Sequence, residues 1–104
     1  MPKQSIPVEL GGTTKHLRYD FNALVALEDQ LGIPISDIGN MMAGSVKLGD
    51  LRSLIWAGLI HEDKSLTPAD VGEWLEFGQL NYIADKVRIA FESAFPEESE
   101  VKKK

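Results

Sequence analysis

The stretch LRSLIWAGLIHED, Leu51 to Asp63, is apolar on nearly every side before it ends in a histidine and two acids. At about 100° per residue, Leu51, Leu54, Ile55, Gly58 and Leu59 share one face of a helix, while Trp56 and Ile60 point roughly the opposite way, near Arg52 and Ser53. One neighbour cannot cover both sides. The pattern therefore predicts a central helix, Leu48 to His61, sandwiched between other elements of the chain. A second reading leaves Trp56 and Ile60 partly exposed as an anchor for another protein, because aromatic side chains are enriched in interface hot spots.

Working outward, Ile6/Val8/Leu10 and Leu17/Tyr19 alternate on either side of Gly11-Gly12, which predicts a β-hairpin over Ile6 to Leu10 and Thr14 to Tyr19. Two strands alone are marginal in water, so their inner face must lie on helices. Asp20 is placed to cap a helix that Gly32 can end, with Phe21, Leu24, Val25, Leu27 and Leu31 as its apolar stripe. Glu28 falls inside that stripe and must reach water or find a partner. A short segment follows from Ile35 or Ser36 with Ile38, Met41 and Met42, stopped by Gly44. Thr67-Pro68-Ala69-Asp70 combines a capping residue, a proline at the first helical position and an acid three residues after the cap, so a helix is expected from Pro68 to about Phe77. After Gly78, Leu80, Ile83, Ala84, Val87, Phe91 and Ala94 form the stripe of a last helix that Pro96 ends.

The fold expected is α+β, predominantly α, with a short N-terminal hairpin packed on about five helices. Residues 1–95 form one domain in this reading, and 96–104 a charged, mobile tail. Tyr82 and Ile89 lie seven residues apart on the last helix, away from its core stripe, and make a second apolar strip. Trp56, Ile60, Tyr82 and Ile89 are accordingly the candidate partner-binding residues.

Little in the sequence points to catalysis. His61, Glu62 and Asp63 are adjacent, so at a helix end they fan out instead of converging as the i, i+4 histidines of a helical zinc site do. A solvated terminus, with His61 near the negative end of the helix dipole, accounts for them. His16 alternates outward on its strand. The serines lie in no nucleophile-elbow context, and Gly11-Gly12 is too short to cradle a phosphate. No catalytic residue, metal ligand or cofactor site is assigned, and an enzyme is not expected.

With 104 residues, 43% hydrophobic and 26% charged, the chain fits one unstapled globular domain. It has no cysteine, which fits an unstapled intracellular protein, and a cytoplasmic location is expected. A net charge of -5 without a basic patch in the first 100 residues disfavours nucleic acid as main partner. Leu54 to Ile60, the longest apolar run, is far below the roughly 20 residues that span a bilayer, and the N-terminus lacks the pattern of a secretion signal.

Taken in order, VELGGTTKHLRYDFNALVALEDQLGIPISDI, LRSLIWAGLIHED, LTPADVGEWL and a last amphipathic helix resemble the tail assembly chaperones of tailed bacteriophages and related gene transfer agents. The likeness covers about Val8 to Phe95. It implies a non-enzymatic role, in which the protein binds the tape-measure and tail-tube proteins during tail morphogenesis and is absent from the mature virion. Met41 and Met42 could adapt to varied partner helices or fill the core. The family also implies a longer frameshifted form, for which Lys102-Lys103-Lys104 could be encoded by an adenine-rich slippery stretch. Self-association is a further expectation, and a structural virion or head-tail component, or a small adaptor, are the alternatives.

Overall fold

The computed structural model describes residues 5–44 and 46–94. β1 (Ile6–Leu10) and β2 (Thr13–Leu17) pair antiparallel, with Leu10 opposite Thr13 and Ile6 opposite Leu17. Gly11 and Gly12 both have positive φ, 60° and 83°, the backbone that a two-residue hairpin turn needs to match the twist of its strands. The alternation predicted for the strands holds, since Val8, Leu10 and Leu17 are buried while Glu9, Thr14 and His16 face outward. The second strand stops at Leu17 rather than Tyr19. Arg18 leaves the ladder because its N–H donates to the Gly58 carbonyl at 2.9 Å.

Among the described residues five helices follow the hairpin: α1 (Phe21–Leu31), α2 (Ile35–Met42), α3 (Leu48–Leu59), α4 (Pro68–Gly72) and α5 (Leu80–Ser93), with one 3-10 turn at Phe77–Gln79 before the last. The architecture is thus α+β and predominantly α. Asp20 caps α1 by accepting from the Ala23 N–H at 2.9 Å, and Gly32 ends it with φ 73°. Thr67 and Asp70 form a reciprocal capping box at the start of α4. Where α3 stops at Leu59, Ile60 to Glu62 form a turn, so the helix is two residues shorter than predicted.

α3 occupies the centre. Leu51, Ser53, Leu54, Ile55, Ala57, Gly58 and Leu59 are buried, and α1, α4, α5 and β2 all pack on it. Gly58 permits the approach of the hairpin, since a methyl group there would lie 2.8 Å from Leu17 Cδ2 and 3.1 Å from Tyr19 Cζ. Tyr19, itself buried, donates its hydroxyl proton to the Leu54 carbonyl and meets the Phe91 ring edge-on at a centroid distance of 5.5 Å. Ile83, Val87, Ala90 and Phe91 are the buried residues of α5, which lies against both strands.

Two further expectations are corrected. The helix predicted to run from Pro68 to about Phe77 ends at Gly72. Its last turn tightens, with Trp74 N–H donating to Val71 O at 2.9 Å, and the chain departs to lay the Trp74 indole over Gly11, under the Lys15 ammonium at 4.3 Å. In α1, Phe21 and Val25 belong outside the core stripe. Ala23 and Leu27 are buried, with Leu24 and Leu31 half-buried, and these four lie within an arc of about 100°, leaving Phe21 and Val25 on the flank. The tail expected over residues 96–104 lies outside the described residues.

Candidate functional site

The four residues picked from sequence separate into two pairs. Trp56 and Ile60, both half-buried, line one pocket of about 590 Å³, together with Arg18, Asp20, His61 and Lys64 among others. The pocket lies between the start of α1 and the end of α3 with the turn that follows it. Trp56 is also a peg, since its indole N–H donates to the Leu66 carbonyl at 2.8 Å and ties α3 to the segment that enters α4.

Tyr82 and Ile89 lie on α5 and are 37% and 50% exposed. Tyr82 has an internal duty, because its hydroxyl accepts the Glu9 backbone N–H at 3.0 Å. That N–H points outward from β1. Between the hairpin's paired positions, Pro7 likewise faces outward and has no N–H to offer. The outer edge of β1 is therefore largely closed to further strand pairing.

The other edge is occupied at His16, though not at Thr14, by the residues that raised the question of chemistry at the end of α3. His61 Nε2 lies 2.7 Å from the His16 carbonyl oxygen, and Glu62 holds the His16 ring Nδ1 at 2.9 Å and its backbone N–H at 3.4 Å. His61 and Glu62 thus occupy the outward N–H and C=O of His16 on β2. Asp63 turns the other way, accepting from the Ser65 hydroxyl and N–H, which hold its carboxyl below the usual carboxylate range. Among the described residues no group of three or more His, Asp or Glu side chains is arranged to hold a metal ion.

Sequence reasoning missed a second surface. Phe77 and Leu48 are 81% and 55% exposed and border a groove of about 420 Å³, with Leu51, Leu75, Leu80 and the Arg52 side chain in its lining. Its signal in the sequence is Phe77 beside Gly78, an aromatic outside any helical stripe. Assigning Phe77 to the end of a longer helix concealed it. No helix among the described residues is long and apolar enough to cross a membrane.

Fold and surface together define a small α+β domain with partly occupied strand edges and large apolar side chains exposed around a groove and on α1 and α5. The chain belongs to a phage tail-related family described as phage tail tube protein, GTA-gp10, whose model matches residues 4–95. No curated protein and no solved structure matches it.

Proposed function

We propose that this protein is a non-enzymatic component of phage tail morphogenesis, acting through protein–protein contact as a structural part of the tail. Family membership over residues 4–95 carries this reading. Exposed Phe77 and Leu48 beside a groove supply a contact surface of the kind that association uses.

A finer reading, favoured by the strand edges, is a tail assembly chaperone that binds tape-measure and tail-tube proteins and leaves before the virion matures. A subunit that builds a wall by continuing a sheet needs open strand edges. Here the Glu9 N–H is held by Tyr82, and His16 by His61 and Glu62. Sheet continuation is thereby restricted, which favours association through side-chain surfaces and suits reversible binding.

Quantitative mass spectrometry of purified particles and of the producing cells distinguishes the two. Recovery in particles at a fixed copy number per tail identifies the structural part. Abundance in cells with absence from particles, combined with loss of tails on deletion of the gene, identifies the chaperone. Normal tails after deletion would overturn both.

A further inference from the structure

We propose that the pocket between the start of α1 and the end of α3 receives an acidic side chain from a partner's peptide segment, with an adjacent apolar side chain of that segment seated on Trp56 and Ile60. This rests on the reading of the protein as one that works by protein contact, and it names the chemistry of one such contact.

The observation that carries it is Arg18. Its head group is committed only through Nη2, which donates to Asp20 Oδ2 at a long 3.3 Å, and among the described residues Nη1 has no hydrogen-bond partner. Nε is enclosed by the protein, so a ligand entering the pocket that Arg18 lines would meet the Nη end of the guanidinium. That end can still take an acceptor.

The pocket's charges have the sign that an acidic acceptor requires. Arg18 and Lys64 line the pocket with Asp20 as its carboxylate, whereas the whole chain carries -5. Both oxygens of Asp20 are already engaged, one by the Ala23 N–H and the other by Arg18. Lys64 forms no ion pair among the described residues. His61, the other titratable side chain of the lining, directs Nε2 to the His16 carbonyl. Repulsion by the whole protein grows with the charge of the ligand, so a segment with one carboxylate beside an apolar side chain is opposed far less than a polyanion. Carboxylates also match the guanidinium fork with two parallel hydrogen bonds. At about 590 Å³ the space exceeds what a carboxylate alone fills, and Trp56 and Ile60 supply the apolar remainder.

Titration of the full-length protein with an acetylated, amidated Leu-Glu-Phe-Gln-Leu peptide, followed by nitrogen-15 NMR, tests the proposal. The Trp56 indole and the Ala23 and Lys64 amide signals are expected to move, and the glutamine counterpart, Leu-Gln-Phe-Gln-Leu, to bind about tenfold more weakly. Arg18→Lys, which keeps the charge and loses the fork, is expected to weaken the glutamate peptide about tenfold. Lys64→Gln, at an exposed site that does not hold the fold together, is expected to weaken it about threefold.

Equal binding of the two peptides, unchanged binding by the Lys64 variant, or shifts gathered at Leu48 and Phe77 would each overturn it. So would no response at millimolar peptide, or acetate alone moving the same signals equally well. Because particle composition is measured separately, the peptide can fail while the role in tail formation stands.

Discussion

Gly58 determines how closely the hairpin meets the central helix, and its replacement sets two effects against each other. Alanine would gain about 1 kcal/mol of helix propensity over glycine. Against this, its methyl group would sit 2.8 Å from Leu17 Cδ2, a side chain with no exposure and hence no room to swing, and 3.2 Å from the Tyr19 hydroxyl. Overpacking of this kind costs about 1–3 kcal/mol, so Gly58→Ala is expected to lower the unfolding free energy by roughly 1 kcal/mol net, read from urea denaturation. A gain in stability would mean that the hairpin can retreat freely. Tyr19 adds a pH dependence. Burial pushes its hydroxyl well above the ordinary value of 10.0, so the folded state holds the proton where the unfolded chain releases it. The raised group contributes stability that is complete below pH 10 and falls as pH rises beyond it, by up to about 1.4 kcal/mol per pH unit. Tyr19→Phe is expected to cost about 1 kcal/mol at neutral pH through the lost bond to Leu54, and to flatten the alkaline decline. Denaturation midpoints at pH 8 and pH 10.5 for both proteins check the sign.

Among the elements, those set by local chemistry were readable and those set by distant side chains were not. The Gly11-Gly12 turn, the Asp20 cap, the Gly32 stop and the Thr67–Asp70 box each draw on residues within a few positions of one another, and each is present. The end of α4 depends on where Trp74 lands, on a hairpin turn more than sixty residues away in sequence. Nothing near Trp74 encodes that. Similarly, sequence could say that Glu28 needed water or a partner, but not which. It accepts the Ile35 N–H at 2.7 Å and so caps the first turn of α2 from the preceding helix. Since α2 has Pro34 as its capping residue and gains no side-chain bond from it, Glu28 supplies the cap that the local sequence lacks. Glu28→Ala is therefore expected to cost about 1 kcal/mol, and amide exchange should accelerate in α2 before it does in α3. Uniform acceleration would show that the bond contributes nothing particular to α2.

At the scale of the whole molecule, the apolar side chains left outside the core are the feature a contact protein must justify, and they are not equivalent. Of the candidate residues read from sequence, Trp56 and Tyr82 also hold the fold together, through Leu66 and Glu9, so truncating either confounds binding with stability. Ile89→Ser, at a position that is 50% exposed and makes no such bond, tests the α5 face, and Tyr82→Phe, which loses the Glu9 bond and keeps the apolar ring, is its control. Loss of self-association or of capture of a tail protein by the Ile89 variant alone would assign that face, and unchanged behaviour with the fold intact would remove it. Phe77 and Leu48 allow a cleaner experiment, because at 81% and 55% exposure neither has much packing to lose. Leu48→Ser with Phe77→Ser is expected to shift stability by less than about 1 kcal/mol, the range of surface substitutions. If the groove they border is where a tail protein docks, the same double variant should reduce tail yield in complementation of a deletion strain, as counted by electron microscopy. Phe21→Ser is the matched control, since Phe21 is 77% exposed on α1 and borders neither the groove nor the Trp56 pocket. A deficit confined to the groove variant would locate the contact. An equal deficit in both would instead make exposed apolar surface in general, and not this groove, the property that the tail depends on.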